Sequence, residues 1–97
     1  AKALPSSNTK LHQAGLSLAP NPTSGEVAIR FGELEEAAEI SLEIHNALGQ
    51  LVLYKDFGKA AQLDEKLDLG RLNSGLYFVS VKAGGERFEQ KLIISKD

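Results

Sequence analysis

Apolar and polar residues alternate through most of this chain, and the alternation marks strands rather than helices. Val27, Ile29 and Phe31 fall on one side, with Glu26, Ala28 and Arg30 on the other. Ile40, Leu42 and Ile44 repeat the pattern, as do Leu63, Leu67 and Leu69, and then Tyr77, Val79 and Val81. A period of two places each set on one face of an extended strand. The expected strands cover residues 16–18, 26–31, 39–45, 50–57 and 63–69, with one after Gly75 and one near the C-terminus. In the fourth of these, Leu51, Val52, Leu53 and Tyr54 are apolar in succession, which predicts cover on both faces. Glu65 falls on the apolar side of the fifth, which marks an edge or a bulge. Residues 33–38 have helical propensity, but an isolated helix that short is marginal in water. They read as a loop with room for one helical turn.

The turns between these strands carry as much information as the strands. Leu72-Asn73-Ser74-Gly75 is a corner, and Gly75 suits it because tight corners often need a positive φ. Tyr77 follows at the start of a strand. Its ring can enter the core while its hydroxyl bonds back to the corner, the arrangement known as a tyrosine corner. Pro20-Asn21-Pro22, with Gly25 behind it, forms a stiff bend, because each proline fixes its own φ and biases the residue before it toward extended geometry. Asn46-Ala47-Leu48-Gly49 is a further turn, and residues 58–62 read as a loop. Gly84-Gly85 signals a two-residue hairpin. That hairpin would set Val81 opposite Phe88, Val79 opposite Gln90 and Tyr77 opposite Leu92. Gln90 fits this register if the last strand is an edge where the amide is wet; a bulge is the alternative. Seven or so short strands with a turn about every ten residues make an all-β, immunoglobulin-like Greek-key sandwich.

Composition narrows the function by exclusion. With 97 residues, a formal charge of −2 and no cysteine, the chain holds one domain and offers no basic patch for nucleic acid. No disulfide, thiolate metal site or cysteine nucleophile is available, and no apolar run approaches the ~20 residues of a membrane helix. Residues 1–15 lack alternation and read as a flexible, protease-accessible linker, leaving 16–97 as the domain. Ala1 reads as a cut boundary in a longer precursor. His12 lies in that linker, and His45 ends a strand without an acid or nucleophile beside it. Glu33, Glu35 and Glu36 lack the Asp-x-Asp spacing and glycine of a calcium loop. No catalytic, metal-binding or cofactor-binding residue is assigned, and the chain is not expected to be an enzyme.

Four motifs in order give the chain a recognisable character: Leu18-Ala19-Pro20-Asn21-Pro22-Thr23-Ser24-Gly25, Ile44-His45-Asn46-Ala47-Leu48-Gly49-Gln50-Leu51-Val52, Leu72-Asn73-Ser74-Gly75-Leu76-Tyr77 and Lys91-Leu92-Ile93-Ile94. Together they resemble the C-terminal sorting domain of type IX (Por) secretion cargo from the Bacteroidetes. The resemblance runs from about Leu16 to Asp97. Two departures stand out: His45 occupies a position where the family usually has an aromatic, and the chain ends in an acidic Asp97.

The resemblance implies a signal that takes an upstream cargo through the periplasm and across the outer membrane to the cell surface or beyond. Its implied partners are the outer-membrane translocon and shuttle components, and a sortase-like surface protease that usually removes the domain. The residues it singles out are Pro20, Asn21, Pro22, Gly25, Asn46, Gly49, Gln50, Val52, Leu72, Gly75, Tyr77, Lys91, Leu92, Ile93 and Ile94. From the hairpin register, Leu76, Phe78 and Ile93 also form an outward apolar cluster beside Lys91, rimmed by Glu89, and a patch of this kind is a candidate docking surface. The alternative is an accessory module that binds carbohydrate or packs on a neighbouring catalytic domain. Sugar platforms favour exposed aromatics, and this chain has no Trp and only two Tyr and four Phe.

Overall fold

A computed structural model describes residues 15–96. Across them run seven strands: β1 (Leu16–Ala19), β2 (Glu26–Gly32), β3 (Ala38–Asn46), β4 (Leu51–Ala60), β5 (Gln62–Asp68), β6 (Gly75–Ala83) and β7 (Glu86–Ile94). They form two antiparallel sheets, ordered β1-β2-β5 and β4-β3-β6-β7. The chain crosses between the sheets after β2, after β4 and again after β5, which produces the Greek-key immunoglobulin-like sandwich with the fourth strand joined to the third. The expected N-terminal linker, including His12, lies outside the described residues apart from Gly15, and so does Asp97.

The alternating positions supply the core. Val27, Ile29, Phe31, Leu63 and Leu67 of one sheet face Ile40, Leu42, Ile44, Val79, Val81 and Leu92 of the other, and all are buried. Phe31 and Phe88 meet across the layers with ring centroids 4.8 Å apart at 59°, a tilted aromatic contact that ties the sheets together. The hairpin at Gly84-Gly85 has the register its two glycines dictate, with Val81 opposite Phe88, Val79 opposite Gln90 and Tyr77 opposite Leu92. Gln90 is exposed because β7 is an edge strand.

Three expectations need correction. Residues 58–62 are not a loop: β4 runs to Ala60 and β5 begins at Gln62. Gly58 sits at φ +74° beside a shift in register between Ile40 and Ser41, so its turn chemistry makes a β-bulge that leaves Phe57 as the extra residue. A second shift, between Ile44 and His45, leaves Val52 extra. Nor is β4 covered on both faces. It is an outer strand of the four-stranded sheet, and Leu51 and Tyr54 lie on that sheet's outer face, in the rows of His45 and Glu43, where they are 54% and 53% exposed. Residues 33–37 contain bends and no helical turn. At Glu65 the edge reading holds without a bulge: β5 is an outer strand, and Glu65 pairs with Ile29 in continuous register with β2.

Strand direction sorts the loops into two ends. Gly15, residues 33–37, Ala61 and the Gly84-Gly85 hairpin lie at one end. Residues 20–25, 47–50, 69–74 and 95–96 lie at the other.

Candidate recognition surface

All four sequence motifs come together at this second end, built around the end of β7 and the residues that follow it. Asn21 is the clasp. Its Nδ2 donates to the Lys91 carbonyl at 2.8 Å, and its Oδ1 accepts from the Ile93 N–H at 3.0 Å. One amide side chain thereby satisfies two edge groups of β7, as a residue of a neighbouring strand would. Pro20 and Pro22, both exposed, stiffen the backbone on either side of it. Thr23 continues the contact: its N–H donates to Ile93 (2.9 Å) and its carbonyl accepts from Ser95 (2.8 Å). Thr23 is 3% exposed, so its hydroxyl needs partners inside the fold. It accepts from the Gly25 N–H at 3.1 Å and donates to the Glu26 carbonyl. The carbonyl of Gly25 in turn takes the Leu69 N–H at 2.7 Å.

The corner motif meets the same terminus from the other side. Lys96 donates its N–H to Ser74 Oγ at 3.0 Å and its ammonium to the Gly70 carbonyl. Leu72 packs half-buried against the core, and Gly75 adopts φ +156°, a backbone that side-chain-bearing residues rarely take. Tyr77 is 7% exposed and its hydroxyl donates to the Asn73 carbonyl at 2.7 Å, which completes the tyrosine corner.

Asn46 organises the remaining loop. Its Oδ1 accepts from the N–H groups of Leu48 (3.0 Å) and Gln50 (2.9 Å), while Nδ2 donates to Gln50 Oε1 at 2.8 Å. Main-chain bonds from Asn46 to Gln50 and from Gly49 to Asn46 close the turn, and Val52 packs half-buried on the core behind it. Thus Pro20, Asn21, Pro22, Gly25, Asn46, Gly49, Gln50, Val52, Leu72, Gly75, Tyr77 and the Lys91–Ile94 run share one end of the sandwich, with Leu92 and Ile94 turned into the core.

Beside this end, the outer face of the four-stranded sheet is apolar. Leu76 pairs with Ile93, and the next row sets Leu51, His45, Phe78 and Lys91 side by side across four strands. Leu76 and Ile93 are 36% and 45% exposed, Phe78 and His45 are half-buried, and Lys91 is exposed. The large apolar side chains exposed among the described residues are Leu48, Leu51, Tyr54, Leu76 and Ile93, and all belong to this face or the loop above it. Glu43 and Glu89 border the patch in the following row. Sequence reasoning found Leu76, Phe78, Lys91 and Ile93 but missed Leu48 and Leu51. Leu48 had a legible signal, since an apolar residue at the tip of an Asn-x-x-Gly turn has no core to enter. The outer face of the other sheet is different, with Ser17, Arg30 and Asp64 in one row and Ala19, Ala28 and Lys66 in the next.

Among the described residues, no group of three or more His, Asp or Glu side chains is placed to hold a metal ion. A family model described as the secretion system C-terminal sorting domain matches residues 17–95. No curated protein matches the chain. The chain therefore belongs to the family of secretion-system C-terminal sorting domains. It is a sorting signal for type IX secretion, working with that system to carry a precursor toward the cell surface, and the family's role is sorting rather than catalysis. The accessory-module reading is not favoured.

Proposed function

We propose that the end of the sandwich carrying the four motifs, together with the apolar face beside it, is what the outer-membrane translocon and shuttle components bind. A sortase-like surface protease then releases the domain by cutting ahead of Leu16, at the end opposite the bound surface. Until then the domain transits the periplasm as a folded handle on its cargo. The observation that carries this reading is the Asn21 clasp on Lys91 and Ile93, which joins motifs some seventy positions apart into one surface. Stability alone gives no reason to gather the exposed apolar side chains on one face, whereas a docking surface does. Lys91 within that patch supplies a cation that favours a partner with an acidic rim.

The test is a periplasmic reporter fused upstream of the domain and fractionated in a host with this secretion machinery. Deleting residues 91–97 is expected to abolish export. The double variant Lys91→Ala with Phe78→Ser is expected to reduce it while circular dichroism of the purified domain stays unchanged. Normal export of the deletion would sink the sorting role of this terminus, and normal export of the folded double variant would remove the patch from it.

A further inference from the structure

The outer edge of β7 is the longest unbroken edge of the sandwich. β5, also unbroken over seven residues, sets a charge, Glu65, on its inward side, a device that blunts an edge. β4, at the far side of the same sheet, is interrupted by two bulges, the usual means of blunting an edge. β1 has only four residues. β7 runs nine residues in unbroken register with β6. Its main-chain groups alternate, the even-numbered residues bonding β6 and the odd-numbered ones pointing outward. The outward bonds of Lys91, Ile93 and Ser95 to Asn21 and Thr23 show this directly. Those bonds stop at the Lys91 carbonyl. Beyond it, the outward N–H and C=O groups of Arg87 and Glu89 have no partner among the described residues. The open stretch is bounded by the Gly84-Gly85 turn at one end and the Asn21 clasp at the other, and Phe88 is its midpoint.

We propose that this edge pairs with the same edge of a second copy, antiparallel about a two-fold axis at Phe88. The sheet would then continue through β7 of both copies. The charges select this occupant and this register. A continuous sheet must keep inner faces together, so only every second register is allowed. Centring on Glu89 sets Glu89 opposite itself and Arg87 opposite Lys91, which are like charges throughout. Centring on Arg87 opposes two guanidiniums, and centring on Gln90 drives Arg87 against Ile93, whose outward groups Asn21 and Thr23 already hold. Centring on Phe88 sets Arg87 opposite the partner's Glu89, twice by symmetry, and lets each such pair exchange both of its main-chain hydrogen bonds. Gln90 then faces the partner's Glu86, an amide donor opposite a carboxylate. β1 lies close to this edge, and a groove of about 710 Å³ separates it from β7 at Glu89, Gln90 and Lys91, lined on the β1 side by Leu16 and Leu18.

One strand pair is a small interface, so the association is weak and concentration-dependent. Sedimentation equilibrium of the full chain over about 10 µM to 1 mM is expected to show a monomer converting to a dimer, and no larger species. Arg87→Glu presents two carboxylates at the edge and Glu89→Arg two guanidiniums, so each variant alone is expected to stay monomeric. An equimolar mixture of the two is expected to recover the dimer, and so is the single chain carrying both substitutions. Circular dichroism of each variant verifies the fold, since Arg87 also donates to Ser80 Oγ at 3.1 Å. A wild-type chain that stays monomeric throughout, a folded single variant that dimerises as wild type does, or a mixture that does not associate would each overturn the proposal. Export is measured separately, so none of these results bears on the sorting role.

Discussion

Replacing Asn21 with alanine tests the clasp most directly. The substitution removes two hydrogen bonds, at 2.8 and 3.0 Å, and touches no core side chain. A net hydrogen bond contributes about 0.5–1.5 kcal/mol, so the pair amounts to about 1–3 kcal/mol. Asn21 is exposed and water can replace it in part, which places the expected loss in the lower half of that range, about 1–2 kcal/mol. For a domain of this size such a loss lowers the thermal midpoint by roughly 4–16 °C. Hydrogen exchange locates it. Leu92 bonds inward to β6, so its amide should accelerate only by the global factor of about 5–30-fold. The Ile93 amide bonds to Asn21 alone and should accelerate well beyond that. Asn21→Asp separates the two bonds, because a carboxylate still accepts from Ile93 but cannot donate to the Lys91 carbonyl. It should therefore preserve protection at Ile93 and still lose stability. Unchanged protection at Ile93 in the alanine variant, or an unchanged midpoint, would refute the clasp.

Three further outcomes follow from the same end of the molecule. Tyr77→Phe should cost about 0.5–1.5 kcal/mol by loss of the bond to Asn73, and Tyr77→Ala about 3–5 kcal/mol by loss of a buried ring as well, both read from denaturant midpoints. Thr23→Val keeps the shape but leaves the Gly25 N–H and the Glu26 carbonyl without their buried partner, and should cost about 1–3 kcal/mol in the same assay. Leu48→Ser with Leu51→Ser should leave stability within about 0.5 kcal/mol while lowering export of the fused reporter, since both side chains are exposed; normal export would remove them from the docking surface.

What the sequence made legible was local. Period-two runs located β2, β3 and β6, two adjacent glycines set the β6–β7 register, and Tyr77 two positions after Gly75 announced its corner. The failures have a common physical cause, which is that they depend on partners distant in the chain. Gly58 signals a break in any local reading, yet in a strand paired with β3 it becomes a bulge and β4 continues. The Leu51–Tyr54 run looked like a strand buried on both sides. Its exposure depends on the outer face of the four-stranded sheet having no further layer over it among the described residues, a fact no local window contains. The motifs themselves were visible, but their meeting was not. Nothing in Pro20-Asn21-Pro22 specifies that its amide will reach Lys91 and Ile93.

That reach links the surface to the order in which the chain is made. The bend carrying Asn21 and Thr23 precedes its bonding partners, from Lys91 to Ser95, by some seventy positions, so it is made before they are. A product that stops before Lys91 leaves both side chains without their counterparts and opens the core at Leu92 and Ile94. The complete surface thus exists only once the chain through Ser95 has been made and folded. A transporter that reads it is, in effect, checking that β7 has been made and has folded onto the bend before committing the cargo.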